Sequence, residues 1–260
     1  MAFVNTILVY PIKSLEPVYA GQATLAPGGG LAGDRTIAIV DEAGAYVNGK
    51  RHAAVHGLRA SVDFAAGTVS LARRGGESAR VFAFPREQAA IEEWLSGYFG
   101  FAVHLVSDED NGYPDDRQST GPTVLAEATL GEVARWFPGL SVPDLILRFR
   151  PNIIISGTEA FWDDRLYGAS GEVVRFRIGD AVIEGTNPCQ RCVVPPRDPH
   201  TAESWPDFST TFRARREDTL PPWANRERFN HFYRLAVNTR TPADQVGKTI
   251  RVGDEVTIIE

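Results

Sequence analysis

Sulfur is scarce in this chain: its 260 residues include one methionine and two cysteines, Cys189 and Cys192. Two thiols cannot hold an iron-sulfur cluster through four thiolates, and they do not form the disulfide framework of a small secreted domain. A structural zinc site is disfavoured, because His200 is the nearest further ligand and the sequence has no second Cys-x-x-Cys. We therefore expect a protein of the reducing cytoplasm.

An excess of positive charge and long apolar runs are lacking too. Lys and Arg number 27 against 33 Asp and Glu, for a net charge of -6, so we exclude a protein that coats nucleic acid. No apolar run approaches the roughly 18 residues of a membrane span, and we expect a soluble protein. The opening segment "MAFVNTILVYPIKS" has no basic region before its short apolar run, which favours a strand over a signal peptide.

The apolar content that is present, 43% with 10% aromatics, is ample for a packed core. Before about residue 85 the chain consists of short β-like runs, such as "RTIAIV" and "TVSLA", separated by glycine-rich turns. This spacing is typical of a small barrel or sandwich. Similar runs return after about residue 150, among them "PNIIIS", "EVVRFRIG", "DAVIEG" and "RLAVNT".

Two segments change to a helical period. In "REQAAIEEWLSGYFG", residues 86–100, Ile91 and Leu95 share one face, and Gly100 stands where a helix should end. In "ATLGEVARWF", residues 128–137, Thr129 and Glu132 have the spacing of a capping box. The sequence therefore predicts a mainly β protein with a few helices, an α+β fold with two β-barrel-like lobes.

Two polar segments indicate how the chain is divided. Residues 107–123, "SDEDNGYPDDRQSTGPT", are acidic and rich in turn formers, so we interpret them as an exposed connection between domains 1–107 and 108–260. Residues 197–229 form a long, charged insertion that carries several aromatics and prolines. An ordered loop of this length is usually functional, although a solvated excursion is the alternative.

Both cysteines lie in "NPCQRCVVPPRDPH", residues 187–200. A haem attachment needs His directly after the pair, and Val193 is there instead. A dithiol redox pair and two small buried residues both remain open, although a thioredoxin-like pair normally opens a helix. Arg191 beside Cys192 would favour the thiolate form, which attacks electrophiles and suits a soft metal.

Three other short stretches each place a cation beside a turn or a strand end. They are "YPIKS" at 10–14, "GGLAGDR" at 29–35 and "RFRPNI" at 148–153. Arginine binds phosphate through a two-pronged fork, and Asn and Ser add further hydrogen bonds. Together the stretches could offer one anionic ligand the side chains of Lys13, Ser14, Arg35, Arg150 and Asn152.

In their order and spacing, these stretches, with "AFWDDRL" at 160–166 and "GKTIRVGDEV" at 247–256, closely resemble the MOSC family with its N-terminal β-barrel domain. The resemblance extends from residue 3 to about residue 258. This family is named after the C-terminal domain of molybdenum cofactor sulfurase and includes the amidoxime-reducing components. Its most specific element here is "CQRC" followed by "DP".

The resemblance implies a molybdenum cofactor, a molybdenum-pterin, with Cys192 as the metal ligand and catalytic residue. It also implies that the pterin and its phosphate contact Lys13, Ser14, Arg35, Arg150, Asn152, Arg191 and Tyr233. The implied reaction is reduction of N-hydroxylated or N-oxygenated small molecules by oxygen-atom transfer. A separate electron-donor protein is expected, because the sequence shows no iron-sulfur, haem or flavin motif. The alternative is a persulfide carrier or a cofactor-delivery protein without redox turnover.

The chain departs from its relatives after the cysteines. Pro195 and Pro196 replace a common pair of threonines, Arg197 follows them, and Ala202 replaces a common glycine. We expect the prolines to form a rigid wall on the substrate side. Arg197 would either attract an acidic substrate or pair with Asp198 or another loop carboxylate.

Overall fold

The computed structural model describes residues 1–76 and 78–259. The strands are β1 (Ala2–Val9), β2 (Val18–Ala20), β3 (Gln22–Thr24), β4 (Ile37–Asp41), β5 (Leu58–Asp63), β6 (Thr68–Arg73), β7 (Arg80–Ala83), β8 (Val103–Ser107), β9 (Val124–Ala126), β10 (Ile153–Ser156), β11 (Val174–Ile178), β12 (Ala181–Gln190), β13 (Arg234–Arg240), β14 (Thr249–Arg251) and β15 (Glu255–Ile258). The helices are α1 (Gln88–Phe99), α2 (Glu127–Trp136), α3 (Val142–Phe149) and α4 (Phe208–Asp218). The prediction of a mainly β fold with a few helices is confirmed.

Seven strands form a closed barrel in the order β10, β9, β13, β12, β11, β15 and β1, with β1 pairing back onto β10. Branched apolar side chains fill its interior, among them Val4, Ile155 and Ile183, each fully buried. The closing strand β1 comes from the start of the chain, so the barrel needs both ends of the sequence. In the described residues, no helix is both long and apolar enough to cross a membrane.

The N-terminal half adds smaller sheets around an apolar cluster of its own. Strands β4 and β8 pair, β5 to β7 form a meander, and α1 covers them with Ile91 and Leu95 buried. Helix α1 ends at Gly100, whose φ of 79° is the left-handed conformation that favours glycine. The domain division at residue 107 remains a prediction, and the strand pairing crosses it, because β1 and β3 pair with strands of the C-terminal half.

The predicted capping box of α2 is wrong. Helix α2 begins at Glu127, and Thr129 lies inside it, where its hydroxyl donates to Asp163 Oδ1 at 2.6 Å and accepts from the N–H of Phe161 at 2.7 Å. Thr129 thus ties the helix to the 160–166 segment. A true capping box occurs instead at Ser141 and Asp144, where α3 begins.

The 197–229 segment is not a solvated excursion, because it contains α4. Phe208 and Phe212 are buried, and the Phe208 ring stacks on Phe137 with 4.3 Å between ring centroids. On the same buried face, the guanidinium of Arg216 donates to Asp164 and lies 4.3 Å from the Phe161 ring centroid. The helix therefore covers one side of the barrel.

Asp163, next to this ion pair, makes stability depend on pH. Burial, and then the negative charge of Asp164, raise the pKa of Asp163 to about 7. The unfolded value is near 4, so the folded state binds this proton more tightly. The protonated Asp163 side chain contributes fully to the unfolding free energy below about pH 4, and this contribution is lost as the pH rises through about 7.

We expect wild-type protein to lose about 2–3 kcal/mol of unfolding free energy from this group between pH 5 and pH 8. Asp163→Asn keeps the side chain neutral and should remove most of that loss. Denaturant unfolding of both proteins at the two pH values measures the difference. Parallel pH dependence in the two proteins would contradict the raised pKa.

Candidate functional site

A cavity of about 530 Å³ opens between the N-terminal sheets and the barrel. Seven of the eight predicted site residues line it: Lys13, Ser14, Arg35, Arg150, Asn152, Arg191 and Cys192. They come from three separate stretches and the cysteine segment, which the fold brings together. The volume lies within the range of small-molecule and cofactor sites.

The cavity wall is cationic although the chain is acidic. Nine cationic side chains line it: Lys13, Arg35, Lys50, Arg74, Arg117, Arg148, Arg150, Arg191 and Arg234. Among residues 1–76 and 78–259, only four carboxylates do so, those of Glu16, Asp34, Asp115 and Asp116. Since the whole chain carries -6, this concentration of positive charge favours an anionic ligand.

Three of the lining residues have an unusual backbone. Ser14, Arg35 and Arg150 have φ values of 74°, 54° and 52°, in the left-handed region that non-glycine residues seldom adopt. Arg150 caps α3 in this conformation, and its N–H donates to the carbonyl of Ile146 at 2.8 Å. Such conformations cluster where a protein has to aim a side chain.

Tyr10 holds the two aimed arginines side by side. The Arg150 guanidinium carbon lies 4.1 Å from the Tyr10 ring centroid, and that of Arg35 lies 5.0 Å from it. The Tyr10 hydroxyl donates to the Pro151 carbonyl at 3.1 Å, and burial raises the pKa of this tyrosine far above its ordinary value. A neutral aromatic ring thus supports two cations through cation–π contacts.

Asn152 supports the site rather than offering donors to a ligand. Its Nδ2 donates to the Leu8 carbonyl at 3.0 Å and to Asp34 Oδ1 at 2.9 Å, so the chain uses both amide hydrogens. Asp34 in turn accepts from the Arg35 guanidinium. The expectation that Asn152 hydrogen-bonds the anion is not supported by this geometry. Asn152 instead fixes Asp34, and through it Arg35.

The 107–123 segment forms a wall of the cavity and is not only an exposed connection. Lys13 Nζ donates to the Tyr113 carbonyl and to Asp115 Oδ1, both at 2.8 Å, and Lys50 Nζ lies 3.8 Å from the same oxygen. Partial desolvation acts to raise the pKa of Asp115, but the charges of Lys13, Arg35 and Lys50 hold it well below its ordinary value. Asp115 is therefore ionised, and its carboxylate holds Lys13 in place at the cavity.

The two cysteines differ in their surroundings. Cys189 lies near the end of β12 and Cys192 in the turn that follows, and both are free thiols. The Arg191 guanidinium donates to Cys189 Sγ at 3.1 Å and to the Phe149 carbonyl at 2.7 Å. The guanidinium thus hydrogen-bonds Cys189 and not Cys192, and its effect on the Cys192 thiol stays a prediction. Cys192 lines the cavity without this contact.

Arg148, which the sequence did not single out, fixes the backbone around the proline pair. Arg148 is buried, and its Nη1 donates to the carbonyls of Pro195 at 2.9 Å and Arg197 at 2.6 Å. Its Nη2 also lies 3.5 Å from Asp198 Oδ2. Arg197 itself donates to the Gly49 carbonyl and makes no ion pair with Asp198 in the described residues. Pro195 lines the cavity as a fixed wall.

Tyr233 is the predicted site residue that does not line the cavity. Its ring is buried against Phe212, with 5.4 Å between centroids, and burial raises the pKa of its hydroxyl to about 12. Its carbonyl accepts from the N–H of Arg191 at 3.0 Å, and its hydroxyl lies within electrostatic range of the Arg191 guanidinium. The cofactor contact at Tyr233 stays a prediction.

These features fit an anionic cofactor that brings its own metal donors. Within residues 1–76 and 78–259, no group of three or more His, Cys, Asp or Glu side chains could hold a metal ion. One thiol, Cys192, is nevertheless present at the cavity. The Nε atoms of Arg148, Arg191 and Arg234 are buried without a partner in the described chain, although all three residues line the cavity.

Comparison with known proteins gives two family matches. The model of the MOSC domain matches residues 123–257, and that of the MOSC N-terminal beta barrel domain matches residues 1–102. The chain is similar to the mitochondrial amidoxime-reducing component 1 of Xenopus laevis, with 25% identity over 98% of this chain and 82% of that protein.

It is also similar to the molybdenum cofactor sulfurase of Homo sapiens, with 24% identity over 73% of this chain. The match covers 26% of the human protein, so the chain spans about a quarter of that relative. Among solved structures, YiiM from Geobacillus stearothermophilus aligns over 54% of each chain with a TM-score of 0.33 and 11% identity.

Proposed function

The chain belongs to the MOSC family, and from this premise we propose that it is a molybdenum-cofactor-dependent oxidoreductase that reduces N-hydroxylated or N-oxygenated small molecules. The observation that carries the proposal is a cationic cavity, in an acidic protein, that also contains the Cys192 thiol. A phosphorylated pterin needs the cations, and a thiolate is a soft ligand suited to molybdenum.

Different residues of the cavity would bind the phosphate and the metal of such a cofactor. Arg35 and Arg150, whose guanidinium groups lie over Tyr10, would bind a phosphate, and Lys13 would add a point charge. Cys192 would give up its proton and hold the metal as a thiolate. When bound, the molybdenum-pterin would supply two-electron oxygen-atom transfer.

The remaining wall shapes the space for a substrate. Pro195, held by Arg148, gives the cavity a rigid side next to the cysteine segment. The hydrogen bond from Arg197 to the Gly49 carbonyl joins this segment to the N-terminal half. A substrate would therefore lie between two parts of the chain that are fixed to each other. A rigid site of this kind holds the substrate in one orientation for reaction.

Turnover should need a separate electron donor. We expect molybdenum-loaded protein to convert benzamidoxime, two electrons and two protons into benzamidine and water when a reduced viologen is added, and to do nothing with NADH alone. Chromatography of the amidine measures both reactions, with protein from a host unable to make the cofactor as the control. Turnover with NADH alone would contradict the separate donor, and no turnover by loaded protein would contradict the reductase.

The similarity to a molybdenum cofactor sulfurase supports one alternative. In it the chain carries sulfur as a Cys192 persulfide, or delivers cofactor, without redox turnover. Mass spectrometry after alkylation separates this alternative, because a persulfide adds one sulfur to the Cys192 peptide. A dithiol redox protein, the third interpretation, would instead form a reversible disulfide between Cys189 and Cys192, which are free thiols in the structure.

A further inference from the structure

His56 is a further side chain that lines the cavity. It lies in a short 3-10 helix, Ala53–Gly57, on the N-terminal side of the cavity. A Cβ placed on Gly49 would lie 3.0 Å from His56 Nε2 and 3.7 Å from a methyl carbon of Val194. The imidazole therefore lies near the segment that follows Cys192, in space that the missing Gly49 side chain leaves free.

The Nε2 atom of His56 is buried and has no hydrogen-bond partner in the described chain. Burial, and then the charges of Arg197 and Arg150, lower the pKa of His56 below its ordinary value; Arg148 acts in the same direction and Asp198 opposes them. Burial and these charges thus favour the neutral ring. A neutral imidazole with its proton on Nδ1 presents a lone pair at Nε2.

Such a lone pair is useful in a cavity where cations predominate. Lysine and arginine side chains only donate hydrogen bonds. The four lining carboxylates already accept from neighbours within the chain: Glu16 from Arg74, Asp34 from Arg35, Asp115 from Lys13 and Asp116 from Asn238. A substrate hydroxyl that enters this cavity has to donate to some acceptor, and His56 Nε2 is one that the chain leaves unused.

We propose that His56 contacts the substrate, with Nε2 accepting the hydrogen bond of an N–O–H group, and that it selects N-hydroxylated compounds over analogues without that hydrogen. The inference rests on the proposed function and specifies its substrate class. It assigns a substrate contact to the N-terminal half of the chain.

The test compares benzamidoxime with its O-methyl ether, which lacks the N–O–H hydrogen. Wild-type holoprotein should bind benzamidoxime about three- to tenfold more tightly than the ether in titration calorimetry, the usual worth of one hydrogen bond. His56→Phe should bind the two equally. His56→Gln, whose side-chain oxygen can accept, should keep most of the preference.

His52→Phe is the matched control. Its Nε2 is also buried without a partner in the described residues, but its ring packs 5.2 Å from the Phe101 centroid, and it does not line the cavity. This variant should keep the wild-type preference. Metal content and unfolding temperature of each variant confirm that it is loaded and folded.

The outcomes separate the two proposals. If wild-type holoprotein binds neither compound, the proposed function fails, and this inference fails with it. If wild type prefers benzamidoxime and His56→Phe keeps that preference, the inference alone is overturned. An equal loss in His52→Phe would also overturn it, because the effect would then be structural.

Discussion

Replacing Cys192 with alanine is expected to abolish both molybdenum retention and amidoxime reduction. Removing a residue that merely supports a metal ligand typically costs 10- to 100-fold in affinity or activity, so losing the ligand itself should cost at least about 100-fold. The described chain offers no cluster of His, Cys, Asp or Glu that could replace it. Cys192→Ser tests the same point with a similar volume but a harder ligand.

Cys189→Ala is the matched control for this experiment. The Cys189 thiol contacts the Arg191 guanidinium and packs beside an apolar cluster, so its loss should weaken packing but leave the metal bound. Elemental analysis of both variants, purified from a host that makes the cofactor, distinguishes the two thiols. Full molybdenum in both would show that the ligand is assigned wrongly, and loss in both would contradict the difference between the two cysteines.

Replacing Arg216 with methionine should have the largest effect on stability. Arg216 and Asp164 are 1% and 3% exposed, and the arginine is the ion-pair partner of that carboxylate. Breaking a buried pair leaves an uncompensated charge, which costs about 3–5 kcal/mol. The effect should be worse above neutral pH, where Asp163 also ionises in the folded state. Denaturant unfolding at pH 6 and pH 8 measures both changes.

Two further variants show whether the loss comes from the charge. Arg215→Met lies next to Arg216 on the exposed face of α4 and should change the unfolding free energy little. The double variant Arg216→Met, Asp164→Asn removes both charges and should recover a large part of the stability. If the double variant is no more stable than Arg216→Met alone, packing rather than the unpaired carboxylate explains the loss.

Much of the fold could be predicted because the local signals agree with the final packing. The strand segments alternate or run apolar between glycine turns, and α1 carries Ile91 and Leu95 on one face with Gly100 at its end. The cations of the site were predictable for a related reason. Lys13, Arg35 and Arg150 each lie in a turn or cap next to a strand, where loops carry binding residues.

Helix α3 was missed although Leu145 and Phe149 are buried four residues apart, because the helix is only eight residues long. Helix α4 was missed because Arg216, on its buried face, lies against a carboxylate and aromatic rings, so the hydrophobic period underestimates that face. Thr129 had the spacing of a capping residue, but it lies inside α2 and its hydroxyl donates a hydrogen bond to the Asp163 carboxylate. Only tertiary contacts decide between these alternatives.

The rest of the site depends on side-chain direction. Adjacent residues suggested that Arg191 would act on Cys192, yet the guanidinium folds back onto Cys189. Residues 107–123 have the composition of an exposed loop, and only tertiary contacts, such as that from Lys13 to Asp115, show that they form the cavity wall. His56 had no local signal at all, because its significance comes from an unpartnered Nε2 beside Gly49.

The molybdenum and pterin content of the wild-type protein tests directly whether the cationic cavity holds a molybdenum-pterin through Cys192. Protein from a cofactor-producing host should contain close to one molybdenum and one phosphorylated pterin per chain, and protein from a host lacking the cofactor pathway should contain neither. A wild-type protein that purifies from the producing host without molybdenum or pterin would contradict the account.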